Sequence, residues 1–266
     1  MIPIYIPTRG RMNNQVTWDS IGPEAREHAV LVCPQDELSW HAKQGRDCIT
    51  RLDKKGGEIK GINNVRQFIL EHAMEEGHDK IIVLDDDLIF GRRIHGMAAN
   101  LRKTNQEEMH ELWERMEWLL MNHTHVGLSP RQMNDKHFPD TVKYGMRQNA
   151  VHAIRPEIIH NLGIRYDAMD LMEDYYVTLK LFQLGHRNAV IVDWTWDQRG
   201  ASGAAGGCSS YRNAELQEKA SRALAEEFPM YVKAVQKETK TGWEGMKTRW
   251  DVRVQWRKAA KDGGAI

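Results

Sequence analysis

Three consecutive carboxylates, Asp85, Asp86 and Asp87, follow the run Lys80-Ile-Ile-Val-Leu84 and precede Leu88-Ile-Phe90. The run is short, apolar and β-branched, the composition of a strand buried on both faces. Carboxylates do not stay unpaired inside such a sheet. The triplet therefore belongs at the strand's mouth, where the ligands of open α/β sheets dock. Mg²⁺ or Mn²⁺ suits this position, because it takes one or two carboxylates and completes its shell with water and phosphate oxygens. A solvated acidic turn that caps the next helix is the alternative.

Two other clusters strengthen the first reading. Pro7-Thr-Arg-Gly-Arg11 follows the strand-like Ile2–Ile6, which puts the Thr8 hydroxyl and the Arg9 and Arg11 guanidiniums at the same sheet edge, ready to grip phosphate. Lys60-Gly-Ile-Asn-Asn-Val-Arg66 places Asn63, Asn64 and Arg66 at a helix N-terminus, a position that favours an anion, with Asn63 or Asn64 as an alternative N-cap. Together the three describe a metal-diphosphate pocket. Glu173 and Asp174 open a later helix, either as a catalytic base or as acids that oppose the helix dipole. His123 and His125 form an H-x-H pair, which beside a strand start is more often ordinary core or surface.

The elements that position these residues alternate. Ile2–Ile6, Ala29–Cys33 and Ile81–Leu84 are strand-like, and Val16–Ile21, Glu37–Lys43 and Asn63–Glu76 are helical in pattern. That is βαβ grammar and predicts an α/β fold with a largely parallel sheet. Val65, Phe68, Ile69, His72 and Ala73 form the apolar stripe of one helix, with Gly77 as its C-cap. Further on, Met109 to Leu120 gives another helical face, Val126–Leu128 and Ala150–Ile154 read as strands, and a helix from Glu173 to Leu184 precedes the strand Ala189–Val192. Arg199 to Arg212 is glycine-rich and predicts a mobile loop, followed by two polar helices and a basic tail.

Bulk properties exclude several classes. The 266 residues suffice for one large α/β domain with or without an appendage, and 37 basic against 37 acidic side chains announce no polyanionic partner globally. Cys33, Cys48 and Cys208 are odd in number and lack a CxxC, against a disulfide framework or zinc-thiolate site. With no leader-like start and no long apolar stretch, the expectation is a cytoplasmic protein with no membrane partner.

The strand-then-Pro-Thr-Arg opening, Gly61-Ile-Asn-Asn-Val-Arg66, Leu84-Asp-Asp-Asp87 and Met172-Glu-Asp174 resemble a GT-A glycosyltransferase. More narrowly, the stretch through Gly127-Leu-Ser129, Asn149-Ala-Val-His152, Ile164-Arg-Tyr-Asp167, Leu171 to Tyr175 and Leu179 to Gly185 is similar to the TET/JBP-associated, bacteriophage DNA-modifying glycosyltransferases. The resemblance covers roughly residues 1–215 and leaves residues 216–266 as a basic, helical C-terminal extension.

It implies a Rossmann-like sheet flanked by helices and a nucleotide-sugar donor, a UDP-sugar. Asp87, assisted by Asp85, would hold Mn²⁺ or Mg²⁺. Thr8, Arg9, Arg11, Asn63, Arg66, Asp85 and Asp86 would line the donor site, and Glu173 and Asp174 would face the acceptor, with Asp174 as the general base if the reaction inverts. Many GT-A enzymes add a metal-binding His after that helix, whereas this chain has none beyond His186, leaving Asp193, Asp197 or water. Gly200 to Gly207 resembles a lid over the diphosphate.

The implied acceptor is DNA carrying a hydroxymethylated pyrimidine such as hydroxymethylcytosine, which places the enzyme in the host cytoplasm if phage-encoded. The tail adds support of its own. From Tyr231 to Lys261 there are nine Lys or Arg against three Asp or Glu, and Arg249, Arg253 and Arg257 recur every four residues, one stripe of a DNA-contacting helix. Trp243, Met246, Trp250 and Val254 line its other face, so a docked helix with a solvated basic side fits equally. Rival readings are a polysaccharide or protein acceptor, a sugar-phosphate nucleotidyltransferase, and an inactive nucleic-acid-binding module. Pro7–Arg11 lacks the glycine-rich run ending in a basic residue that a nucleotidyltransferase needs, and the intact Asp85, Asp87, Glu173 and Asp174 oppose the inactive module.

Overall fold

The computed structural model describes residues 1–94, 97–132, 140–198, 212–243 and 246–266. Its first half runs β1 (Ile4–Pro7), α1 (Val16–Ser20), α2 (Pro23–Arg26), β2 (Ala29–Cys33), α3 (Gln35–Lys43), β3 (Cys48–Thr50), α4 (Ile62–Glu75) and β4 (Ile81–Leu84). The strands β3, β2, β1 and β4 lie side by side in that order and all run parallel. From β1 the chain steps outward to β2 and β3, then returns to the other flank of β1. This reversal opens a crevice at the carboxyl ends of β1 and β4. Thr8–Arg11 and Asp85–Asp87 emerge there as neighbours.

Alternation of side chains gives the sheet two apolar faces. Ile4, Ile6, Ile82 and Leu84 pack on one side with Trp18, Leu31 and Trp113. Tyr5, Val32, Ile81 and Val83 pack on the other against Val65, Ile69 and Ala73 of α4. Every residue of β1 and β4 is buried, each large aliphatic contributing about 1.5–3 kcal/mol.

The second half adds β5 (Leu88–Ile94), β6 (Met97–Lys103), α5 (Gln106–Leu119), β7 (His125–Pro130), β8 (Val142–Lys143), β9 (Val151–Ile154), α6 (Pro156–Asn161), α7 (Glu173–Gln183) and β10 (Asn188–Gln198). The sheet continues from β4 through β9, β7, β10 and β5 to β6, with β8 also on β10. It is mixed: β9 is antiparallel to β4, and β5 is antiparallel to β10. The β5–β6 hairpin had no counterpart in the sequence reading.

The C-terminal segment departs from expectation. It comprises α8 (Ala214–Glu227), the antiparallel hairpin β11 (Val232–Trp243) and β12 (Met246–Val254), and α9 (Trp256–Asp262). The predicted helical stripe of Arg249, Arg253 and Arg257 is therefore corrected, since Arg249 and Arg253 lie on a strand and only Arg257 is helical. A spacing of four fits both periods, because it is an even number as well as close to 3.6. The β-branched and aromatic content, Val232, Val235, Thr239, Trp250, Val252 and Val254, favours the strand. A third apolar cluster joins Leu179 and Phe182 of α7 to Leu224, Phe228, Val232, Val252 and Ala260. The lid expected at Gly200–Gly207 lies outside the described residues, as does Cys208.

Candidate active site

Thr8 and Asp86 are both buried at the crevice, and the Thr8 hydroxyl donates to Asp86 Oδ2 at 2.7 Å. Gln15 supports this pair by donating to Thr8 Oγ1 at 2.8 Å. Arg11 lies 3.1 Å from both Asp86 Oδ1 and Asp87 Oδ2, bridging two carboxylates of the triplet. The third, Asp85, accepts from Arg66 Nη2 at 2.7 Å. Burial, opposed by Arg11, pushes the Asp86 carboxyl up to about 7, and burial raises Asp85 as well. A further positive charge at this strand end would thus be favourable.

Arg66 ties the strand end to α7. Its other terminal nitrogen bonds Glu173, and its side chain is 6% exposed, so it bridges buried carboxylates instead of facing open space. Both nearby carboxylates hold its guanidinium charged against the cost of burial. Burial raises Glu173 despite that partner. Asp174 is less committed. Its one ion-pair contact among the described residues is Arg147 at 3.6 Å, and Arg147 also stacks 4.2 Å above the Tyr175 ring. Met172, at the N-cap of α7, holds φ 63°, a left-handed conformation costly for a residue with a side chain. That strained turn immediately precedes Glu173 and Asp174.

Other expected residues are placed elsewhere. Arg9 pairs with Glu58 at 2.8 Å and not with the triplet. The N-cap of α4 is Gly61, neither Asn63 nor Asn64: Gly61 has φ 85°, and a Cβ there would lie 2.6 Å from Asn63 Oδ1. Asn63 is buried in the first turn, and Asn64 Nδ2 donates to the Lys60 carbonyl at 2.7 Å. Asp193 accepts from Arg115 at 2.8 Å and Asp197 from Arg131 at 2.9 Å. Gln198, at the end of β10, donates to Asp87 Oδ1 at 3.0 Å, a contact that sequence pattern did not signal. Arg147 was missed as well, since it stands in an irregular segment with no period.

His125 belongs to the core. Its ring stacks on His152 with centroids 5.2 Å apart, and Nε2 of one lies 3.0 Å from Nδ1 of the other. Burial first, then the Arg66 charge, hold His125 down at about 3 and His152 well below its ordinary value. Both rings are neutral in the fold, whereas in the unfolded chain they take a proton below about pH 6.5. Their stabilisation is present above that pH and is lost as pH falls towards the folded values. Replacing one ring, as His125→Gln, should make the pH dependence of urea unfolding shallower by about 1.4 kcal/mol per pH unit between about pH 6 and pH 4. An unchanged slope would mean that the ring protonates inside the fold.

Among the described residues no group of three or more His, Cys, Asp or Glu side chains is arranged to hold a metal ion. No helix among them is long and apolar enough to cross a membrane. No curated protein matches the chain in sequence. Two solved structures of glucosyl-3-phosphoglycerate synthase from Mycobacterium tuberculosis share the fold. The one in complex with Mg²⁺ and uridine-diphosphate has TM-score 0.52 and 9% identity over 96% of this chain and 86% of that one. The one with Mn²⁺, UDP-glucose and phosphoglyceric acid has TM-score 0.51 and 12% identity over 91% and 85%. The architecture is thus that of GT-A glycosyltransferases, a mixed sheet between helices. The sequence model of the TET-associated glycosyltransferases matches residues 2–207, and the chain belongs to that family.

Proposed function

We propose that the protein transfers a sugar from a UDP-sugar to the hydroxymethyl group of a modified pyrimidine in DNA, with Asp174 as general base. The observation that carries this reading is the convergence of Asp85–Asp87 and Glu173–Asp174 on one crevice, joined by Arg66. The fold-sharing structures hold UDP with Mg²⁺ and UDP-glucose with Mn²⁺, which supports the choice of donor and cation.

The residues fit a divalent cation. Asp85 and Asp87 offer hard oxygen ligands, their side chains are 27% and 17% exposed, and burial already makes added positive charge favourable at Asp85. Two carboxylates suffice when water and diphosphate oxygens complete the shell. Bound there, the cation would offset the charge that develops on the diphosphate leaving group. Arg11 would share its charge between the triplet and the diphosphate. Thr8 and Gln15 hold Asp86 and keep Arg11 anchored.

Geometry separates the two acids of α7. Glu173 is spent on Arg66, while among the described residues Asp174 has only the longer ion-pair contact to Arg147. Asp174 would take the proton of the acceptor hydroxyl as its oxygen attacks the sugar's anomeric carbon. The bond from that carbon to the diphosphate oxygen breaks, and UDP leaves with the electron pair.

The test is incubation with hydroxymethylcytosine DNA, a panel of UDP-sugars and Mn²⁺ or Mg²⁺. The expected result is a nucleoside heavier by one sugar for each UDP released, abolished by chelation. Sugar transfer to a polysaccharide or protein with none to DNA would overturn the acceptor. Release of pyrophosphate instead of UDP would overturn the reaction.

A further inference from the structure

The hairpin β11–β12 sorts its residues by strand alternation. Ala234, Gln236, Glu238, Thr248, Trp250 and Val252 share one face; there Arg222 of α8 lies 4.3 Å over the Trp250 ring, and Val252 enters the third core cluster. The opposite face carries Lys233, Lys237, Lys247, Arg249 and Arg253, with Asp251 as its one carboxylate among the described residues. Five cations against one anion is a dense patch on a chain whose charges balance as a whole at 37 each.

The pairing is what stands out energetically. Lys233 lies directly opposite Arg253, and Lys237 directly opposite Arg249. Like charges facing across an antiparallel ladder destabilise it, whereas opposite charges would contribute roughly 0.2–1 kcal/mol. Asp251 offsets part of this by bonding Lys237 at 3.0 Å and standing 3.7 Å from Arg249. Lys233 and Arg253 are exposed and have no acidic partner among the described residues. An arrangement that costs stability without local compensation marks a surface shaped for a ligand.

Position tells which ligand. Three residues after Arg253, Trp256 of α9 packs against Tyr175 with ring centroids 5.2 Å apart. Tyr175 follows Asp174 in α7 and carries the Arg147 that reaches Asp174. The basic face therefore leads towards the acceptor side of the crevice. Burial chiefly, with the charges of Asp174 and Asp251, pushes the Tyr175 hydroxyl up to about 12, which is consistent with both lying near it. Along β12, Arg249 and Arg253 are separated by about 13 Å, the axial rise of about four base pairs. A two-stranded ribbon is also a shape that a DNA groove admits.

We propose that the Lys233, Lys237, Arg249 and Arg253 face of the hairpin is a docking ribbon for the phosphate backbone of the acceptor duplex, an inference that rests on the DNA-acceptor reading. The experiment measures affinity for a short unmodified duplex across a salt series, with wild type and with K233Q/K237Q/R249Q/R253Q. Each lost phosphate contact removes about 0.9 unit of log-log slope, so the quadruple variant should lose about 3 to 4 units. Its thermal midpoint should shift little, because relief of two like-charge pairs offsets the loss of the Asp251 contacts to Lys237 and Arg249. A K233R/K237R variant should keep the wild-type slope. An unchanged slope in the quadruple variant overturns the proposal, as does a wild type that retains heparin but not the duplex at low salt. A wild type that binds duplex with the expected slope, loses it in the variant and yet glycosylates no hydroxymethylated DNA leaves the ribbon in place and sinks the acceptor reading.

Discussion

Asp87→Ala should lower sugar transfer at least about a thousandfold while leaving the protein folded. The loss follows from position. Asp87 closes the mouth of β4, where Arg11 at 3.1 Å and Gln198 at 3.0 Å hold its carboxylate in the crevice without enclosing it. A cation that offsets leaving-group charge is worth several kcal/mol in the transition state, and each 1.4 kcal/mol is a factor of ten in rate. About 4 kcal/mol lost gives the thousandfold. The effect on folding is far smaller, because Arg11 keeps its second partner, Asp86, and a partly exposed ion pair contributes about 1 kcal/mol or less. The measurement is turnover across a Mn²⁺ titration together with a thermal melt. Near-normal turnover in the variant, or wild-type activity indifferent to chelation, would remove Asp87 from the mechanism.

What the sequence revealed depended on how local the signal was. The strands Ala29–Cys33 and Ile81–Leu84 were visible as short β-branched runs, and parallel pairing of β1 with β4 brought Thr8, Arg11 and the triplet to one edge as the βαβ pattern implied. Helix α4 was visible from its stripe, though its start at Gly61 was not, because asparagine is the commoner N-cap and only the positive φ and the clash with Asn63, both visible in the structure alone, explain the glycine. Arg66 could be assigned to the site from its motif but not to its partners. A guanidinium one turn into a helix reaches phosphate or carboxylate equally well, and only the tertiary path of Glu173 decides. Arg9 shows the same limit, drawn away by Glu58 from a loop that has no period. The hairpin β11–β12 was misread because a four-residue charge repeat satisfies strand and helix alike. Its opposed Lys–Arg pairs exist only in register, which no single strand displays.

The pair Glu173→Gln and Asp174→Asn should separate structure from chemistry within two adjacent residues. Asp174→Asn keeps the shape of the side chain and removes its capacity to accept a proton. Turnover should fall by about 10² to 10⁴ if Asp174 is the general base, with donor affinity near the wild-type value. Stability should barely move, since the ion pair it weakens is the 3.6 Å contact to Arg147, whose guanidinium also rests on Tyr175. Glu173→Gln acts on a different quantity. Its carboxylate is 5% exposed and neutralises Arg66, which is 6% exposed, so the amide leaves a buried guanidinium with Asp85 as its remaining bonded carboxylate. Breaking a buried pair by altering one partner costs about 3–5 kcal/mol, and the retained Asp85 bond places this variant at the low end. The unfolding midpoint of Glu173→Gln should therefore drop, while the turnover per folded molecule falls less than in Asp174→Asn. Activity and urea unfolding, measured on both variants with UDP-sugar hydrolysis as a second activity readout, decide the assignment. If Asp174→Asn turns over normally and Glu173→Gln is inert at unchanged stability, then Glu173 takes the proton and the Arg66 bridge must open during the reaction.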